Sequence, residues 1–260
     1  MSAPSFLVKA LPQGNTFTLD GPEGHHAATV QRLRVGESLT LTDGQGGTAS
    51  AEVTAVARGS IDVTITARSF TEANDPRLVV VQGIAKGDRG ELAVQTMTEV
   101  GVDEIVPWAA SRSVTQWRGD RGHKARDKWA ATAREAAKQA RRTWLPTVSG
   151  DPDCSTKQVA ERLSGSTAAL ILHEEATTRL TAFALSTKRN HPEAAIPLGA
   201  QSKASEIVLV VGPEGGISPE ELQTFIAAGA TPVRLGDEVL RTSTAGVAAL
   251  AVLATRLGRW

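Results

Sequence analysis

Apolar and polar positions follow two different rhythms along this chain, and the change falls near residue 77. Before it, short β-branched stretches alternate with polar positions: TFTL at 16–19, SLTLTD at 38–43, ASAEVTAV at 49–56 and SIDVTIT at 60–66. A period of two puts one face of each stretch on a core and the other in solvent, and β-branched side chains suit that pleated surface. The glycine-bearing segments at 43–47 and 58–59 read as hairpin turns between them. Helical character is confined to 24–33, which opens with Gly24, His25 and His26. Residues 1–70 therefore predict a small β-barrel-like domain of roughly five or six strands. Residues 71–77, carrying Asn74, Asp75 and Pro76, predict a linker.

Beyond it the pattern becomes strand, then helix, repeatedly. LVVVQ at 78–82, AALIL at 168–172 and IVLVV at 207–211 are the unbroken apolar runs that a strand covered on both faces requires. DEIVP at 103–107 and VRL at 233–235 are shorter strand candidates. Helical spacing appears at 90–100, 125–142 and 178–185, after Ser218, and from Arg241 to the C-terminus. In the second of these, Trp129, Ala133, Ala136, Ala137 and Ala140 share one face. Residues 78–260 thus predict an α/β domain with a parallel sheet of about five strands, interrupted by a proline-bearing loop at 190–205.

Composition narrows the class. Hydrophobic residues make up 41%, enough for a real core. No apolar run approaches the roughly 20 residues that span a bilayer, and the first residues lack the pattern of a signal peptide. The single cysteine, Cys154, excludes an internal disulfide and fits a reducing compartment. The expectation is a cytoplasmic protein. Histidines 25, 26, 123, 173 and 191 have no ligand spacing, so no metal is expected.

Lys+Arg and Asp+Glu balance at 28 each, so net charge does not indicate a polyanionic partner. Local charge does. Between Arg112 and Arg142 stand ten Lys/Arg against three acids, a field that suits RNA. The bland alternative is a solvated helix face. Trp117 and Trp144 could stack on bases; Trp129, spaced with alanines, reads as core. Arg32 and Arg34 would form a second basic patch on the β domain.

Two glycine-bearing loops follow strands, where small-molecule sites of α/β proteins lie. The first, GPEGGISP at 212–219, matches neither GxGxxG nor a P-loop. Glu214 would put a carboxylate against a phosphate, a repulsion of roughly 4 kcal/mol at 4 Å, and Pro213 removes an N–H that would hold it. The loop suits a neutral or cationic ligand approached closely by backbone; a simple tight turn is the other reading. Ser218, followed by Pro219 and by Glu221 three residues on, is a helix start in either case. The second loop, GDEVLRTST at 236–244, opens a helix apolar on most faces, and hence buried. Arg241 at its mouth either has a task or pairs with Asp237 or Glu238.

GPEGG(x)SxxE followed by LGxxxLRTxTA resembles the C-terminal signature of the SPOUT-class methyltransferases that methylate N3 of a uridine in small-subunit (16S) ribosomal RNA. The resemblance extends to His25, His26 and Arg32–Arg34 in a PUA-like N-terminal domain. It continues through QTMTEVGVDEIVP at 95–107 and the basic helix REAAKQARR at 134–142. It implies a SPOUT α/β domain with a trefoil knot, a homodimer, and S-adenosyl-L-methionine bound by loops after Leu172, Val211 and Leu235. The implied cofactor residues are Leu172, His173, Gly212, Glu214, Gly215, Leu235, Gly236, Leu240, Arg241, Thr242 and Thr244. The candidate RNA contacts are His26, Arg32, Arg34, Arg112, Arg134, Lys138, Arg141 and Arg142. Arg241 is the catalytic candidate, an electrostatic group for a uracil that must lose its N3 proton; Glu99 and Glu214 are candidate acceptors. Thr96 and Ser243 depart from the family, which commonly has lysine and glutamate there. A SPOUT enzyme acting on another RNA, such as a ribose hydroxyl of transfer RNA, and a non-catalytic ribosome-assembly protein are the competing expectations.

Overall fold

The computed structural model describes residues 3–184 and 205–260. The chain divides into two compact units: residues up to Ala73 together with Ala137–Leu145, and Asn74–Ala136 together with Pro146 onward.

In the first unit the strands are β1 (Ser5–Leu7), β2 (Thr16–Leu19), β3 (Ser38–Thr42), β4 (Gly47–Ala57) and β5 (Ser60–Phe70), in the order β1-β3-β4-β5-β2. β1 runs parallel to β3 and the remaining pairs are antiparallel. The alternation has the predicted effect: Leu39, Leu41, Ala49, Val53, Ile61 and Val63 point into one core with Phe6. The helix (α1, Gly21–His25, continued by a π-helical turn over His26–Val30) lies a few residues before the predicted 24–33. Residues 137–145, read from sequence as part of the second domain, are held in this unit by backbone pairing. Gly46 N–H donates to the Thr143 carbonyl, Leu145 N–H to that of Gly44, and the Trp144 indole to that of Thr71 at 2.7 Å.

The second unit is a six-stranded, all-parallel sheet in the order β11-β9-β10-β6-β7-β8. Its strands are β6 (Arg77–Gly83), β7 (Glu104–Trp108), β8 (Thr147–Val148), β9 (Ala168–Leu172), β10 (Glu206–Val211) and β11 (Thr231–Val233). The helices are α2 (Arg89–Glu99), α3 (Gly119–Gln139), α4 (Thr156–Ser164), α5 (Pro219–Ala227) and α6 (Thr242–Arg256). Alternate residues of the unbroken runs serve opposite faces. Leu78, Val80, Ile207 and Leu209 pack with Met97 of α2 and Leu250 and Leu253 of α6. Val79, Val81, Val208 and Val210 pack with Val159 and Leu163 of α4 and Phe225 of α5. Both layers are dry, which is why these runs carry no polar alternation. Trp129 belongs to the first layer, and the half-buried Trp117 packs against it at 4.9 Å with the two rings nearly perpendicular.

Several predicted elements move. Residues 178–184 are not a helix: Leu180 N–H donates to the Arg234 carbonyl and Arg234 N–H to that of Thr178, so the segment lies beside the end of β11. Leu185 and most of the 190–205 loop fall outside the described residues. The last strand is Thr231–Val233 rather than 233–235, and as an edge strand it tolerates Pro232. α4 was unforeseen, although Ser155 and Gln158 form a full capping box at its start. The expected linker is largely structure: Asn74 donates to Asp103, Asp75 accepts from Ser205 N–H, and Arg77 opens β6.

At the N-terminal ends of β6, β7 and β10 lies a closed ion-pair network. Arg162 of α4 grips Glu104 through both carboxylate oxygens at 2.6 and 2.9 Å and reaches Glu206 at 2.8 Å. Arg77 at 2.9 Å and the Ser149 hydroxyl at 2.7 Å complete the shell around Glu104. Burial alone would raise the Glu104 pKa, but the hydrogen bonds from Arg162 and Ser149 and the charges of Arg162 and Arg77 outweigh it and hold it below the usual carboxylate range. Desolvation also works against the Arg162 charge and is overcome by its two carboxylate partners.

Candidate active site at the carboxyl ends of the strands

The opposite, C-terminal edge of the sheet opens into a cavity of about 740 Å³. Parallel strands deliver all their outgoing loops to this edge, so residues far apart in sequence converge there. The loop after β9 brings Leu172 and His173, with Glu174 and Glu175; the loop after β10 brings Gly212 to Ile217; and the loop after β11 brings Leu235, Gly236 and Leu240 to Thr242. Of the residues proposed from sequence to hold the cofactor, the structure gathers every one but Thr244 around this space. Thr244 is corrected: on the first turn of α6 its hydroxyl turns back to the Arg241 carbonyl at 3.1 Å, and it does not line the cavity.

Two of the loops are locked to each other and to the end of β6. The Thr242 hydroxyl donates to the Gly212 carbonyl at 2.7 Å and accepts from the Gln82 amide at 2.9 Å, and the same amide nitrogen reaches the Gly83 carbonyl at 3.1 Å. Because the threonine proton is committed to Gly212, the nitrogen of Gln82 must face it. This leaves the Gln82 oxygen buried and without a hydrogen-bond partner. Beneath this relay the main chains touch: a Cβ at Gly83 would sit 2.6 Å from the Pro213 nitrogen. Downstream, Ser218 and Glu221 form the predicted capping box of α5.

Charge in the cavity is unevenly paired. Glu214 accepts from the Lys86 N–H at 3.1 Å and pairs with Arg89 at 3.2 Å. Burial raises its pKa, but its own and the Lys86 backbone N–H groups, with Arg89, outweigh this and keep the carboxyl ionised below its ordinary range. Asp237 pairs with Arg234 at 3.0 Å and Arg179 at 3.3 Å, not with Arg241. Arg241 occupies the N-cap position of α6 in extended conformation, exposed, with no ion pair among the described residues. Glu99, the other acceptor considered, takes a hydrogen bond from Gln95 on α2 and does not line the cavity.

The RNA candidates separate. Arg112 lines this same cavity from the loop after β7. Arg134 is exposed on α3, 4.0 Å from Glu135. In the first unit Arg32, Arg34 and Arg141 are exposed, and Arg32 and Arg141 adopt left-handed φ of 54° and 53°. Arg142 is half-buried, and so is His26, whose ring sits edge-on to Phe6 at 5.9 Å. Lys138 is corrected: it is 8% exposed and its ammonium is 2.6 Å from Glu23, so the charge is spent on an internal pair. Arg89 and Lys86 went unnoticed in the sequence, though AKGDR directly follows the first strand of the parallel sheet and was bound for the same edge. Among the described residues no group of His, Cys, Asp and Glu could hold a metal.

Known proteins place this architecture. Residues 72–254 match the family model of the RNA methyltransferase domain, and residues 19–66 that of the RNA methyltransferase PUA domain. The fold and its site are therefore those of an RNA methyltransferase carrying a PUA domain. The chain is 40% identical to ribosomal RNA small subunit methyltransferase E of Mycobacterium bovis over 100% of its own length and 94% of that protein. It is 26% identical to the Bacillus subtilis protein of the same name, covering 94% of this chain and 91% of that one. The crystal structure of the Neisseria gonorrhoeae enzyme of that name, bound to S-adenosyl methionine, superimposes with a TM-score of 0.78 at 27% identity, covering 98% of each chain. The chain belongs to the ribosomal RNA small subunit methyltransferase E family.

Proposed function

We propose that this protein transfers a methyl group from S-adenosyl-L-methionine to N3 of a uridine in small-subunit ribosomal RNA. The names of its relatives support the substrate class, and the cofactor-bound neighbour supports the cofactor. The donor set fits that cofactor. Gly212 to Gly216 and Leu235 to Gly236 offer main-chain groups to a nucleoside, while Glu174, Glu175 and Glu238 suit a cationic amino-acid moiety better than a phosphate. When bound, the cofactor supplies an electrophilic methyl group on a sulfonium sulfur.

What this chain's own residues do follows from the charge balance. Transfer would form a C–N bond at the expense of the cofactor's C–S bond and needs N3 to give up its proton, which passes to solvent water, so negative charge gathers on the uracil ring and its oxygens. Arg241, a cation in the cavity without a carboxylate partner, is placed to stabilise that charge and orient the base. Glu214 is tied to Arg89 and holds its proton poorly, so it serves to position the loop rather than to accept the proton. The unpaired state of Arg241 is the observation that carries this reading. Arg241→Ala should lower methylation about 10²–10³-fold while calorimetry shows S-adenosylmethionine still bound; unchanged turnover would remove Arg241 from the mechanism. For the function itself, mass spectrometry of ribosomal RNA from cells lacking this protein should show the N3-methyluridine lost. The reading further includes a homodimer, a trefoil-knotted C-terminal domain and a cytoplasmic location, alongside the observation that no described helix is long and apolar enough to cross a membrane.

A further inference from the structure

The cavity holds four arginines, and two of them are neutralised: Arg89 by Glu214 and Arg234 by Asp237. Arg241 and Arg112 are not. Arg112 makes no ion pair within 4.0 Å among the described residues. Its Nη1 lies 3.4 Å from the Gly215 carbonyl, and the fully exposed Glu220 feels its field from outside ion-pair range. A single unpaired arginine could be assigned to the charge that develops on the base. The second one is open to another anion, either the carboxylate of the cofactor's methionine moiety or a phosphate of the RNA.

Arg112 is also held where it is. Ser111 N–H donates to the buried Glu221 carboxylate at 2.7 Å. The other oxygen of Glu221 accepts from Ser218 N–H at 3.0 Å, closing the capping box of α5, and Thr156 reaches the first oxygen at 3.3 Å. One carboxylate thus ties the Arg112 loop to the helix that follows the Gly212–Gly216 turn. The two loops are in contact: a Cβ at residue 215 would lie 2.8 Å from the Arg112 carbonyl oxygen and 2.9 Å from its Cβ. Only glycine at 215 lets Arg112 sit this close to the cofactor loop.

We infer that Arg112 is not one more member of a diffuse basic track but the phosphate clamp of the active site, gripping the RNA backbone at the nucleotide to be methylated. The guanidinium fork suits a phosphate, which it can bond through two parallel N–H groups. Held by Glu221, it fixes the backbone of the target nucleotide against the same loop that bears the cofactor, while Arg241 faces the base. The inference rests on the function proposed above.

The test uses the full-length protein and small subunits from cells lacking it, with S-adenosylhomocysteine present so that binding is measured without turnover. Arg112→Ala should weaken RNA binding about 10- to 100-fold and reduce the slope of log K against log salt by about 0.7–0.9, with cofactor affinity and melting temperature unchanged. Arg112→Lys should restore the salt slope and recover only part of the affinity, because the fork is gone. RNA affinity unchanged in Arg112→Ala, or lowered with no change in salt slope, would overturn the inference. So would a parallel loss of cofactor affinity, which would make Arg112 a partner of the cofactor's carboxylate or a support for the glycine loop. Absence of methylation by the unaltered protein would instead defeat the proposed function.

Discussion

The two edges of the parallel sheet are built from the same strands and treat charge in opposite ways. At the N-terminal edge, Glu104, Glu206, Arg77 and Arg162 are buried or half-buried and pair with one another, although the Arg162 Nε has no partner among the described residues. At the C-terminal edge, Arg112 and Arg241 stand in a 740 Å³ cavity with no carboxylate of their own. A closed network cannot recruit a ligand, because every strong partner is already taken, whereas unpaired cations beside acid-paired ones leave a specific debt for an anion to settle. The contrast shows why an arginine count along the chain says little: pairing divides structural cations from functional ones.

The largest effect should come from opening the closed edge. Arg162→Met strands the buried Glu206 carboxylate and leaves Glu104 with only Arg77 and Ser149, and it should cost about 3–5 kcal/mol of stability, read from denaturant unfolding; a loss below about 1 kcal/mol would show that water already screens the network. A smaller effect follows at the open edge. Thr242→Val leaves the Gly212 carbonyl and the Gln82 amide without their partner, costing about 1–3 kcal/mol. It should lower cofactor affinity as well as stability, and Thr242→Ser should restore both. The gentlest probe is pH. Glu104 has a folded-state pKa below its unfolded value, so its contribution is present above the ordinary carboxylate range and is lost as pH falls through the lower folded value. Stability should therefore decline as the solution is acidified through that window, and Glu104→Gln should flatten this limb; an unchanged acid limb would place the titrating groups elsewhere.

How much of this could be read from sequence depended on whether the signal was local. The runs at 78–82, 168–172 and 207–211 declared themselves because both sheet faces are dry, and the cap at Ser218 is a four-residue motif. The loops over 212–219 and 236–244 were legible as one site because parallel strands send their loops to one edge, whereas the loop after Leu172 came only with the family resemblance. Pairing was not legible. Lys138 looked like every other cation in its run until Glu23, 115 residues away, was found against it. Asp237 was weighed as a partner for Arg241 and is engaged by Arg179 and Arg234 instead. The helix expected at 178–185 had suitable spacing, but the backbone groups of Thr178 and Leu180 pair with Arg234 instead. β1 and β8 are too short to show a period at all. The sequence stretch 112–142 was seen as one basic surface, yet Arg112 belongs to the cavity and Lys138 to an interior ion pair.

The contact between Gly83 and Pro213 has an evolutionary reading. There the end of β6 meets the cavity loop main chain against main chain, with no room for a side chain between. What descends unaltered from ancestor to descendant can therefore be the platform, while the residues around its rim are free to be exchanged one at a time.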